Sequence, residues 1–365
     1  MKKISLCTVC MNRLEYLSQT LPVNLAENRD NPNIEFLLLD YNSRDNMEYW
    51  VKANLGEYLE SGFLKYYKTY EPEYFHLAHS KNLILKLATG DILGMVDADN
   101  FAGPDYAGWI EKSFETNGSN TITTTLRKDS IPYRDQGGKM CFSKEIFYSV
   151  NGFDEALIGY GMDDVDLVNR LENSGGKRVF IDEEKYLKFI GHSDIERLKN
   201  YRYPNLLQNI YLYMTEPLDY DNARFLYLFR DNTFSEMNYK YKETLKTNLV
   251  VTFLGWTIER HDGRRDGRFI RQEGGLSLMF DDGIIDKYAE LKTKILTGPH
   301  LGKESYWKEI FEDDGLYMHA VLGYCECFNR LRFVENDNNI NRINEKGWGQ
   351  GTVYFNFDNS RPIEV

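Results

Sequence analysis

Residues 1–215 predict an α/β fold on a mixed, mainly parallel sheet, and residues 216–365 predict an added β-rich unit. Two observations carry the first expectation. Strand-like and helix-like segments alternate from the start, and the strand-like runs are continuously apolar, as strands covered on both faces of a parallel sheet are. The second rests on a change of texture after about residue 205. There "YPNLLQNIYLYMTEPLDYDNARFLYLF" reads as helical or mixed, and "NLVVTFLGWTIERHDGRRDGRFIRQEGGLSLMF" reads as paired strands about two Asp-Gly turn signals.

Taken in order, "KISLCTVCM" is β-rich, and "RLEYLSQTLPVNLAEN" has apolar residues at helical spacing that Pro22 should interrupt or restart. "IEFLLLDYNS" is an apolar run ending in Asp, Asn and Ser. A helix follows around "NMEYWVKANLGEYLES", then the short strand "FLKYYKTY". "AHSKNLILKLATG" is an amphipathic helix stopped by Gly90, and "DILGMVDADN" is again a strand. Far downstream, "GTVYFNF" alternates like a final strand of the second unit. Ligands of such sheets bind beyond the carboxyl ends of the strands. That rule singles out Asn12 and Arg13, Asp40 and Ser43, and Asp97 and Asp99.

Composition narrows the function. With 26 Tyr, 21 Phe and 42% hydrophobic residues among 365, the chain is folded and long enough for more than one core. A net charge of -12 argues against nonspecific nucleic-acid binding, which needs surplus Lys and Arg. Binding a phosphate therefore requires local cations or a metal. No run approaches the roughly 20 apolar residues of a spanning helix, and "MKKISLCTVCMNR" lacks a signal-peptide core. The sequence reads as cytoplasmic, with peripheral membrane contact left open. Five cysteines suggest reduced thiols, and the Cys7–Cys10 CxxC, without a second CxxC or CxxH, reads as strand packing.

The acidic clusters carry the chemistry. Asp97 and Asp99 lie at a strand's mouth, where their side chains converge only if the chain turns, and Asn100 and Gly103-Pro104 supply a turn. Unpaired charge is costly to bury, and hard oxygen ligands suit Mg²⁺ or Mn²⁺. A second group, Asp163, Asp164 and Asp166, follows a Gly-Tyr-Gly turn and opens a helix capped near Gly175. Three acids in four residues exceed what the helix dipole calls for, and their repulsion raises proton affinity, so one can act as a general base. His192, after a short apolar strand in "KFIGHSDIERL", is either a satisfied structural residue or the nitrogen ligand of an Asp/His metal site.

These elements, in this order, resemble the GT-A glycosyltransferases, specifically the family 2 nucleotide-sugar transferases. "HSKNLILKLATGDILGMVDADN" is similar to that family's ARNxG, A-x-GD and DxD, with Lys81 where Arg is usual. "LLDYNSRD" resembles its uridine-pocket motif, matching at Asp40 and Ser43 and departing at Tyr41 and Asn42. "CFSKEIFYSVNGFDEALIGYGMDDVDLVNRL" is similar to the galactosyltransferase-type region of β-1,4-galactosyltransferases and polypeptide N-acetylgalactosaminyltransferases. "IGHSD" resembles the segment whose His ligates Mn²⁺. The resemblance covers roughly residues 3–200.

The resemblance implies a UDP-sugar donor, with galactose or N-acetylgalactosamine favoured, and Mn²⁺ or Mg²⁺ on its diphosphate. The acceptor would be a glycan or lipid-linked group in polysaccharide biosynthesis. It implies that Asp40 contacts the uracil, with Ser43 in the same motif, and that Thr8, Asn12 and Arg13 line the nucleoside pocket. Asp97 faces the ribose or sugar and borders the metal, which Asp99 and His192 hold. Asp164 is the base, Asp163 orients the acceptor, and Tyr160, in place of a Trp, touches donor sugar or acceptor. An acid rather than Asn at Asp164 favours inversion. Lys81, Arg127, Arg134 and Lys139 are candidates for further cationic support.

Outside the resemblance, Arg260, Arg264, Arg265, Arg268 and Arg271 read either as an anion-binding surface or as a solvated hairpin tip. Trp256, Trp307 and Trp348 read as core or as sugar-stacking platforms. The departures at Lys81, Tyr41 and Tyr160 keep a second reading open: a non-catalytic carbohydrate-binding or scaffold protein on a degenerate transferase fold.

Overall fold

The computed structural model describes residues 2–126, 137–215, 222–241, 251–253, 256–272, 275–290, 295–297, 305–312, 316–338 and 342–365. It divides into two compact units, residues 1–193 with 332–365, and residues 194–331.

The first unit begins with β1 (Ile4–Cys10), α1 (Leu14–Asn28) and β2 (Ile34–Tyr41), both strands buried at every position. Alternate side chains enter different cores. Cys7, Val9, Leu37 and Leu39 pack on one face of the sheet, and Ile4, Leu6, Cys10, Phe36 and Leu38 on the other. Coverage on both faces is why the sequence reads as unbroken apolar runs. It also sends Cys7 and Cys10 to opposite faces, and burial raises both thiols, so the CxxC is packing. Helix α1 runs through Pro22 without the expected break. Leu17, Leu21 and Leu25 bury against the sheet, which outweighs the roughly 3 kcal/mol cost of an interior proline.

The unit continues through α2 (Met47–Asn54), α3 (Gly56–Glu60), β3 (Leu64–Thr69), α4 (Leu77–Leu87), β4 (Ile92–Met95) and α5 (Tyr106–Asn117). Then come β5 (Thr121–Thr124), β6 (Met140–Ser143), α6 (Lys144–Ser149), α7 (Asp163–Asn173) and β7 (Lys177–Phe180). Strands β3, β2, β1 and β4 are parallel neighbours, and β6 joins β4 antiparallel. The carboxyl ends of β1, β2 and β4 therefore open on one edge.

The second unit holds α8 (Asp194–Leu198), α9 (Arg202–Leu206), β8 (Leu207–Thr215), β9 (Asn222–Phe229), β10 (Thr233–Tyr241), β11 (Val251–Phe253) and β12 (Trp256–Gln272). It continues with β13 (Gly275–Phe280), β14 (Ile285–Glu290), β15 (Ile295–Thr297), β16 (Ser305–Ile310) and the start of α10 (Tyr317–Asn338). Strand order is β10-β9-β8-β16-β15-β14-β13-β12-β11, and an added β10–β12 pairing brings the sheet back onto itself. The stretch read as helical or mixed is mixed: it takes in most of α9 and then β8 and β9, whose Tyr211, Leu226 and Leu228 enter an aromatic-rich core, in keeping with the β preference of aromatics. One expectation is corrected here. The two Asp-Gly signals are not hairpin turns but lie inside β12. A Cβ at Gly267 would meet the Met279 carbonyl at 2.2 Å, and Gly263 lies beside a register shift against β10, so these glycines serve a close approach and a bulge.

Three of the five arginines there have local partners. Arg264 donates to Asp266 at 2.9 Å, Arg265 to Asp282 at 3.1 Å, and Arg271 to Asn209 at 2.8 Å. Trp307 is fully buried and Trp348 packs on Phe147 and Tyr148, so both are core. The side chains of Arg260 and Trp256 lie outside the described residues.

The unit boundary differs from the expected one. It falls at residue 194 rather than 216, and residues 332–365 return to the first unit. There β17 (Thr352–Phe355) and β18 (Pro362–Glu364) extend the sheet to β18-β17-β3-β2-β1-β4-β6-β5-β7. What holds them is specific: Phe357 stacks on Tyr66 with centroids 4.7 Å apart, and Asn356 exchanges two hydrogen bonds with the Tyr66 backbone, at 3.0 and 2.9 Å. Among the described residues, no helix is long and apolar enough to cross a membrane.

Candidate active site

The turns after β1 and β2 interlock. Asn12 and Asn42 adopt left-handed φ of 53° and 57°, which Asn tolerates best among residues with a Cβ. The Asn12 N–H donates to Ser43 Oγ at 3.0 Å, the Arg44 N–H to Asn12 Oδ1 at 2.6 Å, and the Ser43 N–H to Asp40 Oδ1 at 2.7 Å. The other oxygen of Asp40 accepts from the Tyr66 hydroxyl at 2.7 Å, and Asp40 has no exposure. Its carboxyl is raised by burial. Thr8 is buried too, its hydroxyl donating to the Val96 carbonyl at 2.8 Å. In this structure Asp40 and Thr8 hold the scaffold of the turns.

After β4 the chain turns at once, the Asn100 N–H closing on the Asp97 carbonyl at 2.9 Å. Helix α1 grips this loop from below: Thr20 donates to the Ala98 carbonyl at 2.6 Å, Asn24 to that of Asn100 at 3.0 Å, and Asn28 to that of Gly103 at 3.1 Å. The turn sends its two aspartates to different partners. Asp99 Oδ2 lies 2.9 Å from His192 Nε2 and 3.7 Å from Arg13 Nη1, which is itself 3.2 Å from His192 Nε2. His192 arrives because residues 188–190 run beside the loop, with Phe101 N–H on the Lys188 carbonyl at 3.0 Å and Ile190 N–H on that of Asp99 at 2.8 Å. Lys139 clamps the same junction, donating to the carbonyls of Phe101 and Tyr186. It is fully buried and lowered by burial to about 8, so this candidate for cationic support serves as a structural tie.

The third element is the N-terminus of α7. Gly159, Gly161 and Met162 all take left-handed φ, of 62°, 97° and 73°. Strain at the non-glycine Met162, on the order of 1–3 kcal/mol, sits beside the acids it presents. Half-buried Tyr160 rides between the two glycines. Below the turn the three acids divide. Asp166 pairs with Arg170 at 2.7 Å and accepts from Asn336 at 2.8 Å. Asn336 also donates to Asp154 at 2.7 Å, as does Arg332 at 2.7 Å. Asp163 and Asp164 instead share Lys81 of α4, whose Nζ lies 2.7 Å from Asp163 Oδ2 and 2.6 Å from Asp164 Oδ1.

Burial pushes the Asp164 carboxyl up to about 8, with Asp163 and Asp97 adding to the rise and Lys81 opposing it. Asp97 is raised to about 6 by burial, with Asp99 and Asp163 adding and Lys81 and Arg13 opposing. Those couplings mark the three elements as one electrostatic site. Its floor is tight: a Cβ at Gly138 would land 1.9 Å from Asp97 Oδ2, so only glycine fits there.

The oxygen of Asp99 and the nitrogen of His192 make a donor pair suited to Mn²⁺ or a similar divalent ion. Among the described residues, no group of three or more His, Cys, Asp or Glu forms a ready-made cage. A metal bound by so few side chains takes its remaining ligands from substrate phosphates and water, the ordinary arrangement for Mg²⁺. The expected residues thus separate into Asp99, His192 and Arg13 at one end, Asp97 between, and Asp163, Asp164 and Lys81 at the other. Asn12 and Ser43 lie in the neighbouring turn, and Arg127 and Arg134 lie outside the described residues. Sequence reasoning missed the grip of Thr20, Asn24 and Asn28, because polar residues on an amphipathic helix look like a solvated face.

Residues 5–158 match the family described as Glycosyl transferase family 2, and residues 125–205 match the one described as N-terminal domain of galactosyltransferase. No curated protein matches the chain. Among solved structures it is similar to the mannosyltransferase PcManGT from Pyrobaculum calidifontis in complex with GDP-Man and Mn²⁺, at 18% identity over 51% of this chain and 59% of that one, TM-score 0.41. It is also similar to S. aureus TarS 1–349 in complex with UDP, at 16% identity over 53% and 62%, TM-score 0.43. A third is a Drosophila β-1,4-galactosyltransferase 7 mutant in complex with manganese, UDP-Gal and xylobiose, at 16% identity over 55% and 76%, TM-score 0.39. The chain spans about six tenths of the length of the first two.

Proposed function

We propose that this chain, whose residues 5–158 match the glycosyl transferase family 2 model, is an inverting, metal-dependent transferase acting in polysaccharide biosynthesis at the cytoplasmic side. It moves galactose or N-acetylgalactosamine from UDP to a glycan or lipid-linked hydroxyl. The observation that carries this reading is that Asp163 and Asp164 share Lys81, at 2.7 and 2.6 Å, in the same unit that pairs Asp99 with His192 at 2.9 Å. The galactosyltransferase match over residues 125–205 supports the choice of sugar.

In the proposed reaction Asp164 takes the proton of the acceptor hydroxyl while that oxygen attacks the anomeric carbon from the face opposite the diphosphate. The bond between that carbon and the phosphate oxygen breaks, and its electron pair leaves with UDP. Asp163 orients the acceptor, Asp97 places the donor sugar, and Asn12 and Ser43 fix the turn beside the nucleoside. When bound, a divalent ion on Asp99 and His192 neutralises the charge that develops on the leaving group.

UDP with Mn²⁺ should raise the melting temperature beyond either component, since a ligand at 100 times its Kd stabilises by roughly 2.7 kcal/mol. Asp99→Ala should abolish the metal-dependent part, and UDP release from a donor panel should occur with Mn²⁺ and stop with chelator. Glycan binding with no UDP release from any nucleotide sugar would replace this reading with that of a carbohydrate-binding protein.

A further inference from the structure

We propose that Lys81 is the positioning residue of the base: it fixes Asp164 through Oδ1 and leaves Oδ2 as the atom that receives the acceptor's proton. This rests on Asp164 being the base, and it gives Lys81 a different task from the diphosphate contact expected of it.

Three observations fix the geometry. Lys81 is 1% exposed on α4, so its ammonium cannot wander, and two of its three N–H groups are taken by Asp163 and Asp164. The neighbouring Asn82 locks α4 to the segment preceding α7: its Nδ2 donates to the Phe153 carbonyl and its Oδ1 accepts from the Phe153 N–H, each at 2.8 Å. The Phe153 ring then lies 5.0 Å from Nζ, closing the pocket over the charge. Finally, among the described residues Asp164 Oδ2 has no hydrogen-bond partner, and it faces Gly137, where a Cβ would stand 3.4 Å away. One oxygen is anchored and the other is not, on a side chain that keeps 17% exposure, which is the asymmetry that directed proton transfer requires.

The charge balance gives Lys81 a second consequence. Among the described residues, the groups around the Asp164 carboxylate are Asp163 on its own helix, Asp97 from the loop after β4, and Lys81 from α4; of these, Lys81 is the one that favours the ionised form. Gly137 and Gly138 bring no charge. Without the ammonium, three carboxylates would remain together in a desolvated space, and Asp164 would keep its proton to a higher pH than it does beside Lys81.

The test compares pH profiles of kcat for the wild type, Lys81→Met, Lys81→Arg and Asp163→Asn, with the Asp164 carboxyl titrated in each by carbon-13 NMR. Removing an opposite charge at this range should move the acidic limb of Lys81→Met upward by roughly 1–3 pH units. The acceptor KM should change little. Lys81→Arg should restore the limb, and Asp163→Asn should move it the other way, because a like charge is lost. UDP-dependent thermal stabilisation, measured on every variant, confirms a folded donor site. A Lys81→Met profile reduced in height with its limb unmoved would overturn the proposal, as would a raised donor KM with no shift in the Asp164 titration. The NMR titration reads the clamp even if no transfer is detected, so failure of the clamp and failure of the transferase reading give different results.

Discussion

Asp164→Asn should lower kcat by about 10²–10⁴-fold, the range for loss of a general base. The amide keeps the size and one acceptor oxygen of the carboxylate, so Lys81 retains a partner at the Asp164 Oδ1 position, 2.6 Å away in the wild type. Binding of UDP with Mn²⁺, measured by thermal shift, should therefore survive while turnover is lost. The wild-type profile carries a matching signature. Burial and the two neighbouring carboxylates raise Asp164 to about 8. A base works only when deprotonated, so kcat/KM should fall as pH drops through that region, well above the usual carboxylate range. Full transfer activity in Asp164→Asn would remove Asp164 from the mechanism.

Arg170→Met should give the largest stability loss. Arg170 has no exposure, pairs with Asp166 at 2.7 Å, and donates to the carbonyls of Val150 and Gly152 at 2.8 Å each. Methionine leaves a buried carboxylate with its cation gone, a change that costs about 3–5 kcal/mol. For a unit of this size that is on the order of 10 °C in melting temperature. Arg332→Met supplies the contrast. Its side chain is 26% exposed, and its partner Asp154 keeps Asn336, so the loss should be clearly smaller. Equal losses in the two variants, read by calorimetry, would contradict this account of the network.

The two networks show what a sequence can and cannot disclose. The strand ends were legible because parallel strands covered on both faces leave long apolar runs, and an Asn-Arg or Asp-x-Asp at the end of such a run has no packing reason to be there. Asp163 and Asp164 were legible for the same cause, as charge beyond what a helix start needs. Lys81 was visible only as a departure from a motif; its partners lie on another helix, and no local pattern joins them. Asn336, which holds both Asp154 and Asp166, carries no signal at all in "FVENDNN". In the second unit the apolar spacing of "NLLQNIYLYM" suits either a helix or a buried strand, and the pairing of β8 with both β9 and β16 decided it. The Asp-Gly dipeptides failed as turn signals because a glycine also answers a crowded neighbouring backbone.

The return of residues 332–365 to the first unit also sets an order of events during synthesis. A chain made from its N-terminus lays down β1 to β7 and α7 first, with Asp154 and Asp166 in place but Asn336 and Arg332 not yet made. The open edge of β3 waits as well, since β17 pairs with it only after the whole of residues 194–331 has emerged. Domains usually complete themselves in the order in which they are translated. Here the first to begin is the last to close, and a ribosome stalled before residue 332 would carry an unfinished sheet in which Asp154 lacks Arg332 and both Asp154 and Asp166 lack Asn336.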